Sequence, residues 1–407
     1  MLEQTLTVLL AGGVGSRLHP LTQDRAKPAV PFGGKYRIID FTLANCMHSG
    51  LRRILVLTQY KSFSLQKHVR DGWSIFNPEL NEYVTTVPPQ MRTGESWYQG
   101  TADAITQNLY LLERSGAKWV VVLSGDHIYR MDYKEMLKSH QENNAGLTVA
   151  CREVPLDEAR SFGVVSIDEE SRIIGFAEKP DNPTPLENDP TNALASMGIY
   201  VFSMDLLLNV LKKDAINPNS SHDFGNDIIP NLIAEEKVFA HRFGAKQGRV
   251  SPDGYWRDVG TLDSYYEANM DLLKPVPPIN LYQPEWPIRT YQAQYPPSRT
   301  VPGQDGTEGI YVNSIAAGGV VISGGSVQHS ILFSNVFVDE EANIEDSLIL
   351  NDVYVGKGVR LKKCIIDKDV RIPDGEWIGI DAKKDAERFT ISEKGVVVVP
   401  KGYQFSD

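Results

Sequence analysis

Cysteine is scarce in this chain of 407 residues: Cys46, Cys151 and Cys364 stand far apart, with no CxxC pair. The eight histidines never fall at H-x-x-x-H spacing. Neither a zinc site nor a disulfide framework is suggested. No run of about 18 apolar residues occurs, so no segment is expected to span a membrane. The apolar run near the N-terminus lacks a basic flank and leads straight into AGG, unlike a signal peptide, so a cytoplasmic location is expected. Positive charge is in deficit, with 41 Lys and Arg against 52 Asp and Glu, a net charge of −11. That balance argues against non-specific binding to nucleic acid or anionic membranes. A phosphorylated ligand would therefore need a local basic pocket.

Two familiar phosphate-binding patterns are missing as well. No Lys-Ser or Lys-Thr follows the first glycines at P-loop distance, and the dinucleotide fingerprint begun by Gly13 and Gly15 fails at Leu18. What stands there instead is LLAGGVGSRLHPLTQDRAKPAVPFGG, residues 9–34. TLTVLL, ending at Leu10, reads as a buried strand. Gly12, Gly13 and Gly15 let backbone N–H groups approach a ligand closely. Arg17, Arg25 and Lys27 then add fixed positive charge, a combination suited to a polyphosphate. A plain strand-to-helix turn with surface charges is the blander alternative.

Residues 1–270 alternate apolar runs with amphipathic segments. ILVLT (54–58), WVVVL (119–123), LTVAC (147–151) and GIYVF (198–202) read as strands; 103–116 and 132–144 read as helices. This alternation predicts an α/β domain with a mainly parallel sheet. Ligands of such sheets bind beyond the carboxyl ends of the strands, where the glycine loop and SGDH (124–127) both lie.

Residues 275–302 hold eight prolines, which favours extended chain. Tyr282, Trp286, Tyr291 and Tyr295 suggest that this linker is strapped onto a surface. Beyond it, an offset of 17 residues aligns three apolar columns: Val321, Val338, Val355, Ile372; Val327, Ile344, Leu361, Ile378; and Ile315, Leu332, Ile349, Ile366. Three inward positions per turn predict a three-sided parallel β-helix of about four coils over 309–380. The division is then a catalytic domain (1–274), a linker (275–308) and a β-helix domain (309–407).

Asp126 follows a buried strand, and Asp258 lies in GYWRDVGT. Each alone could be a turn or cap residue, Asp258 capping a helix that starts near Thr261. Together beside a basic phosphate loop they suggest a Mg²⁺ site, because that ion takes one or two carboxylates plus phosphate oxygens. Glu178 and Lys179 in FAEKP suit a sugar phosphate, the lysine for the phosphate and the carboxylate for hydroxyls. In WYQGTADA, Thr101 is a candidate N-cap, and Gly100 with Gln99 beside it could carry a nucleobase.

LLAGGVGSRLHPLTQDRAKPAVPFGGKYRIIDFTLANC, WYQGTADA, SGDHIYRMDY, EKP, ASMGIYVF, SSHDFG, YWRDVGT and WPIRTY occur in this order. Together they resemble the ADP-glucose pyrophosphorylases (glucose-1-phosphate adenylyltransferases) over nearly the whole chain. The resemblance implies a Rossmann-like nucleotidyltransferase domain followed by a left-handed parallel β-helix. It implies adenylyl transfer from ATP to glucose 1-phosphate with Mg²⁺, for glycogen synthesis, by a homotetramer under control of small-metabolite effectors. Carried over, Leu10, Gly12, Gly13, Arg17, Lys27, Gln99 and Gly100 match the ATP site. Asp126 and Asp258 match the metal carboxylates. Tyr98, Gly163, Glu178, Lys179 and Ser196 match the glucose 1-phosphate pocket. Gln59 and Trp97 match positions that relay activation. Arg25, Lys35 and Arg37, with Arg388 from the tail, match the effector region. Asp24 departs from the pattern, since some members carry a base there. A pyrophosphorylase for UTP or dTTP, or a regulatory subunit, is the alternative.

Overall fold

The computed structural model of the protein describes residues 1–90, 97–244, 250 and 253–405. Its N-terminal part is built on one mixed sheet. The first strand, Thr5–Ala11, lies in the middle, parallel to both Arg53–Thr58 and Trp119–Ser124. A strand with parallel neighbours on both sides is covered on both faces, hence its unbroken apolar run. Arg53–Thr58 passes the parallel pairing on to Tyr83–Val87. On the other side Asn192–Ser203 runs antiparallel to Trp119–Ser124, to Leu147–Pro155 and to Gly163–Ile167. Val238–Arg242 adds to Leu147–Pro155 in parallel. The glycine loop and SGDH thus leave neighbouring parallel strands at the same edge.

The helix expected over 103–116 is two helices, Thr101–Thr106 and Leu109–Ser115. Asn108 breaks it: its buried side-chain amide donates to the Ala104 carbonyl at 2.9 Å and to the Tyr98 hydroxyl at 3.1 Å. That side chain competes with the backbone ladder. The helix expected over 132–144 is present as Tyr133–Glu142, capped by the Asp132 side chain.

The C-terminal part is a left-handed parallel β-helix of three stacked sheets. Its first strand, Arg299–Val301, pairs with Val321–Ser323 and lies within the range the sequence assigns to the linker. The stack therefore gains a rung, with five strands on each of two sides. The column Val327, Ile344, Leu361, Ile378 is in register and buried. The other two columns need correction at their first member. Ile322, not Val321, stacks on Val338, and Ala316, not Ile315, stacks on Leu332. The Gly324–Gly325 corner spans one residue fewer than the corner below it, so the first coil repeats after 16 residues. Ile315 points the other way, with Ile331, Leu348 and Ile365. These outward residues join the same core as Phe32, Phe41 and Tyr265 of the catalytic part.

The linker is strapped down by Trp286, which is fully buried and donates its indole N–H to Asn45 at 3.0 Å. Tyr282 does not share that role and is 82% exposed. Buried Arg130 holds the same strap through the Gln283 side chain at 2.7 Å and the Asn280 carbonyl at 2.6 Å.

Candidate active site

Asp126 and Asp258 are 132 residues apart in sequence, and a short strand pairing brings them together. Trp256–Asp258 runs antiparallel to His127–Tyr129, with Asp258 opposite His127. Asp258 does not cap the helix after it; Thr261 does, in a capping box with Ser264. Likewise Thr101 is not an N-cap. Gly100 occupies that position, and Thr101 donates its hydroxyl to Asp223 at 2.8 Å.

Lys27, on the single turn Lys27–Ala29, points its ammonium between the two carboxylates, 2.8 Å from Asp126 and 2.9 Å from Asp258. Burial works against charge on this amine, but the two carboxylates overrule it and its pKa is raised. Burial alone would raise the pKa of Asp126. Lys27, His127 and the Ser124 hydroxyl reverse that, so Asp126 stays ionised far below the usual carboxylate range. The ligand atoms of Asp126, His127 and Asp258 lie within 4.8 Å of one another. Two carboxylates that converge on one cation fit a divalent ion with hard oxygen preference. The sequence pattern does not single out His127, although it adjoins Asp126.

Arg17 reaches the same place from the glycine loop. A Cβ built on Gly260 would stand 3.1 Å from an Arg17 guanidinium nitrogen and 3.0 Å from both Asp258 oxygens. Arg17 and Asp258 line a cavity of about 590 Å³, together with Arg152 and with Arg257, which stands inside YWRDVGT but has no role in the sequence reading. A Cβ on Gly12 would crowd Gln59 Cβ at 3.0 Å, whereas Gly13 faces open space. The Leu10 carbonyl accepts the Gly125 N–H at 3.0 Å and so ties the glycine loop to SGDH.

On the nucleobase side, the Gln99 N–H donates to Asp103 at 2.9 Å. Gly100 has its Cα against the Ser221–His222 backbone, where a Cβ would lie 2.6 Å from the Ser221 carbonyl oxygen. Exposed Trp97 lies with its ring 6.0 Å from that of Tyr60, the neighbour of Gln59. On the sugar side, the Glu178 carboxylate and Lys179 ammonium are 3.1 Å apart, and Lys179 has φ 44°. Ser196 accepts the Gly198 N–H at 3.3 Å, at a bulge in strand Asn192–Ser203. Gly163 packs on Glu178 and Phe176. Tyr98 instead accepts a hydrogen bond from Asn108.

Lys35 and Arg37 meet at a second cavity, of about 760 Å³, where the β-helix abuts the catalytic part; His68, Asp352 and Lys368 line it too. Burial pushes the Arg37 guanidinium down to about 10 and the Lys368 ammonium down to about 7. Arg25 lies behind it in a buried ion pair with Asp367. Arg388 is not brought to this cavity; it pairs with Glu376 at 3.0 Å and Asp385 at 3.6 Å.

The nucleotidyl transferase family profile matches residues 6–275. The chain belongs to the nucleotidyl transferase family. A GlmU-like C-terminal hexapeptide profile matches residues 296–399, the β-helix. Among similar proteins is glucose-1-phosphate adenylyltransferase 2 of Vibrio parahaemolyticus, 65% identical over 404 residues, 99% of this chain and 100% of that one. Its namesake in Vibrio cholerae is 64% identical over 405 residues, 100% of each chain to the nearest per cent. Glucose-1-phosphate adenylyltransferase of Methylobacillus flagellatus is 50% identical over 398 residues, 98% of this chain and 93% of that one. As a nucleotidyl transferase, this chain brings its cationic loop and its paired carboxylates to one sheet edge. No helix among the described residues is long and apolar enough to cross a membrane.

Proposed function

We infer that the protein transfers the adenylyl group of ATP to glucose 1-phosphate, giving ADP-glucose and pyrophosphate. The observation that carries this reading is the position of Lys27 between Asp126 and Asp258 beside the glycine loop. The extent of identity to adenylyltransferases selects the nucleotide.

A phosphate oxygen of glucose 1-phosphate attacks the α-phosphorus of ATP, and pyrophosphate leaves from the opposite side. The attacking phosphate is already ionised, so no side chain needs to act as a general base. Catalysis is positioning plus charge neutralisation. Arg17 faces the departing pyrophosphate, Lys27 the triphosphate, and Lys179 the incoming sugar phosphate. Gln99 and Gly100 meet the base; Tyr98, Gly163, Glu178 and Ser196 surround the sugar. Asp126 and Asp258 would hold Mg²⁺, which when bound neutralises phosphate charge at the reacting centre. The Lys35–Arg37–Lys368 cavity suits an anionic metabolite, and a regulated homotetramer serving glycogen synthesis is the matching assembly. Asp24 is exposed and precedes Arg25 in sequence, and an acid there is expected to disfavour a doubly charged effector.

Pyrophosphate release from glucose 1-phosphate and Mg²⁺, run in parallel with ATP, UTP, dTTP, CTP and GTP, tests this. ATP is expected to dominate. Dominance of UTP or dTTP overturns the base assignment, and binding without turnover favours a regulatory subunit.

A further inference from the structure

Glu178 is held in an unusual way. Its carboxylate lies between two glycine Cα atoms from distant parts of the chain. One is Gly163, at the start of strand Gly163–Ile167; the other is Gly225, in the single π-turn Phe224–Ile228. A Cβ on Gly163 would stand 2.9 Å from Glu178 Oε2. A Cβ on Gly225 would stand 2.9 Å from Glu178 Cδ and would overlap Oε2. The other oxygen, Oε1, faces the Lys179 ammonium at 3.1 Å.

The backbone around Gly225 is held by several hydrogen bonds. Asp223 accepts the Gly225 N–H at 2.8 Å and the Asn226 N–H at 3.2 Å through one carboxylate oxygen. Its other oxygen is tied to Thr101, on the helix that follows Gly100. Asp227 accepts the Asp223 N–H at 3.0 Å. Gly225 has an ordinary negative φ, since it is not among the left-handed glycines. Alanine would fit its backbone without strain, so the missing Cβ serves the carboxylate and not the turn. Gly163 is a less clean case, because a Cβ there would also overlap the Phe176 ring. Single π-turns are frequent at functional sites.

We propose that Gly163 and Gly225 form a slot that fixes the Glu178 carboxylate, and that Gly225 is a positioning residue setting specificity for the sugar-phosphate acceptor. The two bare Cα atoms give the Glu178 carboxylate its seat, and a methyl group on Gly225 would push it out, displacing the group assigned to the sugar hydroxyls beside Lys179. This deepens, and rests on, the assignment of Glu178 and Lys179 to the sugar phosphate.

The test is steady-state kinetics of Gly225→Ala, Glu178→Asp and the double variant, with the nucleotide and acceptor that the wild-type enzyme itself prefers. Gly225→Ala is expected to raise KM for the sugar phosphate about tenfold or more while KM for the nucleotide stays unchanged. Glu178→Asp shortens the side chain by one methylene and draws the carboxylate out of the overlap. In the Gly225→Ala background it is therefore expected to restore part of the loss, although alone it weakens acceptor binding. An unchanged acceptor KM in Gly225→Ala overturns the proposal. So does an equal loss for both substrates without rescue, which marks a general structural role. A wild type that prefers another acceptor revises the substrate, and the split between the two KM values still reads the slot. Thermal unfolding of Gly225→Ala, with and without acceptor, checks that the variant is folded.

Discussion

One guanidinium nitrogen of Arg25 lies 2.9 Å from each carboxylate oxygen of Asp367, across 342 residues of sequence and the join between the two parts of the molecule. Both side chains are out of water, at 7% and 0% exposure. Truncating one partner strands the other as an uncompensated buried charge, which costs about 3–5 kcal/mol. Asp367→Ala is expected to lose stability on that scale in urea unfolding, and Arg25→Met with Asp367→Leu to recover most of it. A fully stable Asp367→Ala protein would refute the pair's role.

Lys27 neutralises two acids at once. In Lys27→Met the carboxylates of Asp126 and Asp258 face each other without their shared cation. Turnover is expected to fall by about 10²–10³-fold, the scale for losing one charge-stabilising group. Meanwhile the free protein is expected to bind a divalent cation more tightly, because the competing ammonium is gone. Manganese titration followed by electron paramagnetic resonance reads that affinity directly; weaker binding contradicts it.

The Lys368 amine is lowered from 10.5 to about 7, by burial first and then by Arg37 and Arg25, with Asp367 opposing. In the folded protein it gains its proton only as pH falls through about 7. Affinity of the adjoining cavity for sulfate, measured by calorimetry, is therefore expected to rise between pH 8 and pH 6, and to rise less steeply in Lys368→Met, where His68 is still in the lining. The sign for stability is opposite. Between about 7 and 10.5 the unfolded chain holds the proton that the folded one lacks, so this residue makes stability increase with pH across that window.

The corrected register of the first coil has its own test. Ile322 is buried at 1% exposure and Val321 is not. Ile322→Ala is expected to cost about 2–5 kcal/mol, and Val321→Ala under about 1 kcal/mol. Hydrogen exchange of the first two coils resolves the difference locally, since each coil touches only its neighbours. Equal effects would restore the 17-residue repeat.

The strands of the sheet, the strap and the repeating tail are legible because apolar periodicity records burial, and burial decides those elements. Lys27 is legible as a candidate because it follows a glycine loop suited to phosphate, Asp126 because it follows a buried strand, and Asp258 through its motif. The pairing that unites them is not: WRD and HIY are three residues each, too short to carry a period. The corner at Gly324–Gly325 escapes because Val321 and Ile322 are both apolar, and either satisfies a column. Asn108 reads as one more helical residue until its side chain is seen taking the Ala104 carbonyl. Gly225 escapes because what it accommodates lies 47 residues earlier, at the end of a strand.

Ile331, Leu348 and Ile365 turn away from the interior of their own coils and belong to the same core as Phe32, Phe41 and Tyr265. The tail is therefore half of a bilateral wall, and neither half is dry without the other. A chain stopped after residue 274 would leave the side of that shared core that Ile331, Leu348 and Ile365 supply open to water, so it is expected to be less stable than the full chain. The two parts are accordingly expected to melt together, and the Arg25–Asp367 pair ties the coil to the segment that carries Lys27.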